Sequence, residues 1–136
     1  HDWYPLLDDK GALLSLAAPR EHFFDSDLTE CGPPAIITRK GIVLFYNGKN
    51  ANDDRADSSL PKGTYSVGQI IFDSTDPKKI IERTDHPFLQ PGLPHEMTGQ
   101  YAAGTTFAEG LVFFRNKWYL YYGTADSFVG LAIGRE

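Results

Sequence analysis

Several carboxylates lie near proline or glycine residues, at positions where the backbone could fix their orientation for acid–base chemistry or ligand binding. Glu30 stands just before Pro33 and Pro34, which restrict the chain, so it could act as a general base or a sugar ligand. Glu109 lies inside an apolar stretch, where a carboxylate either lines a pocket or faces solvent, and the neighbouring Gly110 favours a β-bulge or the close approach of a ligand. Asp126 follows an aromatic run and a glycine turn, which suits the binding of two sugar hydroxyls. Each of them also fits an ordinary role in a turn or on the surface.

Three further residues extend this candidate site. Glu96 lies in a proline-rich connection and could serve as well as Glu109. Tyr46 and Asn47 combine an aromatic face with an amide, although Asn47 and Gly48 also form the signal for a hairpin turn. Aromatic faces stack on pyranose rings, and carboxylates bind hydroxyls or move protons. The set therefore favours sugar recognition.

Other chemistries lack their residue patterns. Cys31 is the single cysteine, and His86 and His95 are separated by a proline-rich stretch with no HxxxH or HExxH spacing. The sequence also has no glycine-rich phosphate loop and no G-x-S-x-G motif. We therefore expect neither a metal site nor a cofactor.

The elements that would position these residues belong to a small acidic domain. The chain has 136 residues, 41% hydrophobic and 23% charged, with a net charge of −5. That length and composition predict one globular domain. The negative charge argues against a nucleic-acid or anionic-membrane partner, and no apolar run reaches the ~20 residues that span a bilayer.

The apolar pattern predicts strands rather than helices. Aromatic residues reach 13%, and the 13 glycines and 9 prolines favour short strands joined by tight turns. We expect under a tenth of the chain to be helical. The polar segment 49–63 is predicted to be an exposed loop, and residues 115–117 a hairpin turn. Strand-like runs occupy residues 35–38, 42–46, 65–73, 79–83, 107–114, 118–123 and 128–133.

A weak internal repeat connects two of these runs. Residues 41–48 resemble residues 117–123, and each segment follows a short strand and a turn. Tyr46 and Tyr122, which lie 76 positions apart, take matching places in it. Four-stranded meanders with aromatic inner strands are the units of β-propellers. We therefore predict two adjacent four-stranded antiparallel blades, with residues 41–46 and 117–122 in equivalent strands.

A longer series of residues follows a specific order along the chain: Phe24-Asp25-Ser26, Glu30-x-Gly32-Pro33-Pro34, Gly41 to Gly48, Tyr65-x-x-Gly68-Gln69, Phe72-Asp73, Asp76-Pro77, Arg83, Pro87, Glu96-x-x-Gly99, Phe107 and Tyr121-Tyr122-Gly123-x-Ala125-Asp126. This series resembles glycoside hydrolase family 130, the β-mannoside phosphorylases and β-1,2-mannosidases. The resemblance runs from about residue 25 to residue 134, and its most specific parts lie at residues 30–34 and 121–126.

This resemblance implies an all-β fold, a five-bladed β-propeller with its sugar site at one end of the central axis. About two blades would lie in residues 1–136 as a single-domain fragment, with the N-terminal blades missing. The remaining blades, or an oligomer partner, would then cover the open edges. The general acid would come from an earlier blade. The compartment is not assigned.

The resemblance also implies inverting chemistry on β-mannosides, and two departures from the phosphorylases favour hydrolysis. Where those enzymes carry a phosphate-binding lysine, residues 27–30 read Asp-Leu-Thr-Glu, and Asn47 replaces a histidine. A carboxylate there would repel a phosphate dianion. Glu30 would then activate water with help from Glu109, and Asp126 would bind the mannosyl ring. Tyr46, Asn47 and Glu96 would complete the substrate-binding wall.

Two alternatives remain open at this stage. One is a β-mannoside phosphorylase that holds inorganic phosphate by another arrangement. The other is a propeller fragment that binds carbohydrate without catalysis. The leading interpretation is an inverting glycosidase for β-1,2-linked manno-oligosaccharides.

Overall fold

A computed structural model describes residues 2–134, which form two antiparallel β-sheets. Within these residues the helical content is one three-residue 3₁₀ turn, Pro94–Glu96, so the all-β prediction is confirmed. The first sheet contains β1 (Leu28–Cys31), β2 (Ile36–Thr38), β3 (Gly41–Lys49), β4 (Tyr65–Phe72) and β5 (Ile80–Arg83). The second contains β6 (Phe107–Phe114), β7 (Lys117–Thr124) and β8 (Phe128–Gly134).

The first sheet has four strand positions. Strands β1 and β2 both pair with β3, β1 along its C-terminal half and β2 along its N-terminal half, so they share one position. The interruption falls at Pro33 and Pro34, because proline has no N–H to donate to a neighbouring strand. Strands β4 and β5 follow in order on the other side of β3. This sheet therefore has the four-position meander that the sequence predicts.

The second sheet has three strands, which corrects the prediction of four in both blades. The order is β6-β7-β8, and no fourth strand is formed by residues 2–134. The predicted hairpin turn is present between β6 and β7, where Arg115 and Asn116 have φ of 49° and 61°. Two left-handed residues in a row are typical of the type I′ turns that suit hairpin twist. Like β3, β7 takes the second strand position of its sheet.

The sheets meet along the first half of β4. The Tyr65 N–H donates to the Gly104 carbonyl, and the Thr106 N–H donates to the Tyr65 carbonyl, both at 3.1 Å. One apolar cluster, with Phe24, Tyr46, Ile70 and Phe72 buried, belongs to the first sheet. A second cluster, with Val67, Ala108 and Leu120 buried, joins the two sheets.

The segment 49–63 is only partly the exposed loop that its composition predicts. Asn50 and Ala51 are fully buried, and Ala56 is buried as well. The Asn50 side chain donates from Nδ2 to the carbonyls of Asp57, Leu60 and Pro61 at 3.0–3.2 Å. A single buried asparagine therefore closes the loop, and the expectation of exposure was wrong for these residues.

The second sheet presents apolar side chains to solvent. Its exposed residues include Val112, Phe113, Phe114, Phe128, Val129, Leu131 and Ile133. Five of them, Val112, Phe114, Val129, Leu131 and Ile133, lie on one face of the sheet, and an exposed apolar face usually marks a contact surface. Within the described residues no helix is long and apolar enough to cross a bilayer.

Candidate active site

A cleft of about 260 Å³ opens where the two sheets meet. Glu30 enters it from β1, Glu109 from β6, and Asp126 from the turn between β7 and β8. The structure thus brings together three of the residues that the sequence singles out. The remaining lining residues are Tyr65, Tyr101, Thr105, Phe107 and Gly123.

Glu109 reaches the cleft because it lies in a β-bulge. Ala108 pairs with Tyr122 and Gly110 with Tyr121, which leaves Glu109 as the extra residue of β6. A bulge bends its strand and re-aims a side chain. The Glu109 carboxylate lies beside Gly123, with Oε1 3.5 Å from the position that a Cβ would take there. The sequence anticipates a bulge at this point, since Gly110 interrupts the strand pattern.

Asp126 is held by a tight turn. Ala125 and Asp126 have φ of 48° and 60°, and the Ser127 N–H donates to the Thr124 carbonyl at 3.0 Å. A left-handed conformation costs a residue such as alanine roughly 1 kcal/mol. Such strain often accumulates where a side chain must be held for function.

Aromatic rings form one wall of the cleft. The Tyr65 ring lies 5.5 Å from that of Tyr101 and 6.0 Å from that of Phe107, measured between ring centroids. Burial raises the pKa of Tyr65 above its ordinary 10.0, and the charge of Glu30 adds to the shift. Its hydroxyl is protonated at neutral pH, as that of an ordinary tyrosine is, and can donate a hydrogen bond.

Our sequence reasoning missed these aromatic residues as site residues. Tyr65 and Phe107 belong to the series that resembles the family, which was an available signal. Tyr101 lies in an irregular connection with no strand or helix pattern. No signal in the sequence indicates that its ring packs against Tyr65.

The electrostatics of the cleft are negative. Three carboxylates are among its eight lining residues, and none of the eight is a lysine, arginine or histidine. The ammonium of Lys49 lies 5.8 Å from the Tyr65 ring centroid, but it is bound to Asp27 at 2.8 Å. The hydrogen bond to Asp27 raises the pKa of Lys49, so this cation is already paired.

Tyr46 does not line this cleft. Its ring is 2% exposed, and its hydroxyl donates to Asp25 Oδ2 at 2.6 Å and accepts from Arg83 Nε at 3.2 Å. Burial raises the pKa of Tyr46 to about 12, with the negative charge of Asp25 contributing and Arg83 opposing. The ring is part of the core of the first sheet.

Asn47 is also absent from the cleft lining. Its side chain is fully buried, and both ends of the amide bond the backbone of Ala108 in the other sheet. The expectation that Tyr46 and Asn47 form a substrate-binding wall is thus not matched by where their side chains lie.

Glu96 holds a loop rather than facing the cleft. It is 3% exposed, and its carboxylate accepts the N–H groups of Gly92 and Leu93 at 2.8 Å and the hydroxyl of Tyr122 at 2.6 Å. Burial alone would raise the pKa of Glu96, but these donors outweigh it and lower the pKa below the ordinary 4.5. The ionised carboxylate thereby links the loop at residues 92–96, which precedes β6, to Tyr122 on β7.

The described residues contain no group of three histidine, cysteine or acidic side chains arranged to hold a metal ion. What they do form is a cleft with carboxylates on its rim and aromatic rings on its wall, at the junction of two antiparallel sheets. Aromatic faces combined with hydrogen-bonding carboxylates suit recognition of sugar rings.

Comparison with known proteins identifies the family. The family model of glycoside hydrolase family 130, described as β-1,4-mannooligosaccharide phosphorylase, matches residues 7–136. The chain therefore belongs to glycoside hydrolase family 130.

Similar proteins include characterised and solved members. The chain is 30% identical over 116 residues to β-1,2-mannobiose phosphorylase from Thermoanaerobacter sp. (strain X514), which covers 85% of this chain and 35% of the relative. It is 53% identical to a glycosyl hydrolase structure from Bacteroides ovatus, with a TM-score of 0.91 over 96% of this chain and 36% of that one.

A further structure is 51% identical, with a TM-score of 0.95 over 98% of this chain and 37% of that one. It is described by the statement that the GH130 family of mannoside phosphorylases contains glycoside hydrolases that target β-1,2-mannosidic linkages in Candida mannan. The chain thus spans a little over a third of the length of each of these relatives.

Proposed function

We propose that this chain belongs to an inverting glycosidase that hydrolyses β-mannosides, with β-1,2-linked manno-oligosaccharides as substrates. The substrate class is suggested by relatives described as acting on β-1,2-mannosides. The description of one similar structure names glycoside hydrolases that target this linkage. That structure is 51% identical to the chain, whereas the phosphorylase from Thermoanaerobacter is 30% identical.

The observation that carries the choice of hydrolysis is the charge of the cleft. Glu30, Glu109 and Asp126 line it without any cationic side chain among the eight lining residues. Phosphorolysis needs a phosphate dianion next to the sugar, and clustered carboxylates repel it. Water carries no charge and is activated by a carboxylate. Lys49 does not change this balance, because Asp27 already pairs with it.

The proposed step is a single displacement. Glu30, assisted by Glu109, takes a proton from water while the water oxygen bonds to the anomeric carbon. The bond from that carbon to the leaving oxygen breaks, and a general acid protonates the oxygen. Attack opposite the leaving group converts a β-mannoside into α-mannose. Asp126 binds hydroxyls of the ring, and the wall of Tyr65, Tyr101 and Phe107 packs against it.

The acid is not assigned to a residue of this chain. In inverting enzymes the acid and the base lie ~6.5–9.5 Å apart, which leaves room for the water between them. We propose that further blades of a five-bladed propeller complete the cleft, supply this acid and cover the apolar face of the second sheet. The exposed side chains on that face, Val112, Leu131 and Ile133 among them, support the proposal.

A β-mannoside phosphorylase is the second candidate. It is favoured by the descriptions of the matching family model and of the similar Thermoanaerobacter protein, both of which are phosphorylases. In that case phosphate, rather than water, would attack the anomeric carbon.

Phosphate dependence distinguishes the two functions. We would incubate the full-length protein carrying this chain with β-1,2-mannobiose, in phosphate-free buffer and with inorganic phosphate. Hydrolysis predicts release of two mannose molecules at equal rates in both, with α-mannose appearing first by proton NMR. Formation of mannose 1-phosphate, found only when phosphate is present, would overturn the proposal. A matched incubation with β-1,4-mannobiose tests the linkage.

A further inference from the structure

Asn47 lies between the two glutamates of the candidate site. On one side it is the register partner of Glu30, because residues 30 and 47 pair in the antiparallel ladder of β1 and β3. On the other side its amide crosses to β6, where Oδ1 accepts the Ala108 N–H at 2.7 Å and Nδ2 donates to the Ala108 carbonyl at 3.1 Å. The Asn47 side chain thus gives Ala108 the two hydrogen bonds that a neighbouring strand would otherwise provide.

These two bonds act at a sensitive point of β6. Ala108 directly precedes Glu109, the bulged residue that has no register partner on β7. Ala108 is 1% exposed, so its backbone groups depend on bonds within the protein. The direction of a bulged side chain depends on how the backbone on either side is held. Here Ala108 is the register partner of Tyr122 on β7, and the Asn47 amide binds its N–H and its carbonyl on the opposite edge.

We propose that Asn47 is a positioning residue, which sets the separation and orientation of Glu30 and Glu109 across the junction of the two sheets. The proposal rests on the proposed function, since it needs both glutamates to act on the sugar. It assigns to Asn47 no contact with substrate, because the side chain is fully buried and both ends of its amide are bonded to protein.

The amide group is specific for this task. It presents a donor and an acceptor side by side, which match the carbonyl and the N–H of one residue in a strand. An aspartate could accept the Ala108 N–H but would repel the carbonyl. A histidine could not offer the same donor and acceptor pair at this spacing. A displacement of about 1 Å in a catalytic group can lower turnover by ~10²-fold.

The test is a double-mutant cycle in the full-length protein, with hydrolysis of β-1,2-mannobiose as the readout. We expect Asn47→Ala to lower kcat by about 10- to 100-fold while KM changes by less than about threefold. In the presence of Glu109→Gln, the same substitution should have little further effect, because Asn47 acts through that carboxylate. Asn47→Asp keeps the shape and one of the two bonds, so the cycle can be measured if the alanine variant does not fold.

Asn50→Ala is the matched control. Asn50 is an equally buried asparagine just beyond the end of the same strand, but its amide holds the loop at residues 57–61 instead of β6. In the double variant, the fold-reduction in kcat caused by Asn50→Ala should multiply with the fold-reduction caused by Glu109→Gln, because the two residues act independently. Full additivity between Asn47→Asp or Asn47→Ala and Glu109→Gln would overturn the positioning role. A Glu109→Gln enzyme with unchanged turnover would instead overturn the role of Glu109 in the proposed function, and the inference with it.

Discussion

Tyr46 and Tyr122 make the same two contacts in the two sheets. Each ring lies across the glycine opposite it on the next strand, Gly68 for Tyr46 and Gly130 for Tyr122. Each hydroxyl donates a 2.6 Å hydrogen bond to a buried carboxylate, Asp25 or Glu96 in turn. Each carboxylate belongs to the connection that precedes the first strand of its sheet.

The glycine beneath each tyrosine leaves no space for a side chain. At Gly130 a Cβ would lie within 2.8 Å of three carbons of the Tyr122 ring. We expect Gly130→Ala to displace this ring, weaken its bond to Glu96 and reduce the free energy of unfolding by about 1–3 kcal/mol. Thermal and denaturant unfolding measure the loss. Gly92→Ala is the control, because a Cβ there meets open space, and an equal loss in both variants would contradict the packing argument.

The buried tyrosines predict a loss of stability at alkaline pH. Burial raises the pKa of Tyr46 from 10.0 to about 12. The unfolded chain therefore ionises from about pH 10 while the folded tyrosine remains protonated. The contribution of Tyr46 to the free energy of unfolding is therefore fully present below pH 10. It is lost as the pH rises toward 12, at up to ~1.4 kcal/mol per pH unit.

Tyr46→Phe tests this window. The variant should show a shallower fall in the free energy of unfolding between pH 9 and pH 11 than the parent protein, whatever its stability at pH 7. Denaturant titrations at several pH values measure both slopes. Identical slopes in the two proteins would show that Tyr46 titrates alike in the folded and unfolded chains.

The charge of Glu30 is expected to matter for turnover rather than for binding. Glu30→Gln keeps the size and hydrogen-bonding capacity of the side chain but removes the base. We expect kcat to fall by ~10²–10⁴-fold, with KM nearly unchanged. Steady-state kinetics on β-1,2-mannobiose measure the effect, with Glu82→Gln, an exposed residue of β5, as the control. Near-normal hydrolysis by the Glu30 variant would show that Glu30 is a surface glutamate without a catalytic role.

The loop at residues 49–63 should depend on its one buried amide. Replacing Asn50 with alanine leaves three loop carbonyls without their side-chain donor. Because each unpaired buried group costs ~1–3 kcal/mol, trypsin should cut after the exposed Arg55 at least about tenfold faster. Asn52→Ala, at an exposed asparagine of the same loop, should leave the cleavage rate unchanged. Equal rates in both variants would mean that the loop is held by other contacts.

Local patterns of the sequence carried much of the fold. The turn at Arg115 and Asn116 and the bulge beside Gly110 were both indicated by residue types at known positions in strands. The convergence of Glu30, Glu109 and Asp126 was also expected, through the resemblance to the family. These features depend on short stretches of backbone, whose preferences a sequence expresses directly.

Residue type alone did not reveal which polar side chains are buried. Asn47 and Glu96 have the chemistry of sugar ligands. In the structure, however, the Asn47 amide binds backbone groups, and the Glu96 carboxylate binds backbone N–H groups and a tyrosine hydroxyl. The deciding factor is contact between segments far apart in the chain, such as residues 47 and 108. Tyr101 was missed for the same reason, because its partner Tyr65 lies 36 positions away.

The pairing of neighbouring strands has a consequence for the folding kinetics of the chain. Every strand pairs with one close to it in sequence, so each sheet is a region of low contact order that can form early and independently. The bonds from Asn47 to Ala108 instead close a separation of 61 residues. We therefore expect amide protons of the β3–β4 ladder, and of the β6–β7 ladder from residue 110 onward, to gain protection during refolding before those of Thr106 and Ala108, which are bonded across the two sheets. The glutamates of the cleft would come together only in that last, slower step.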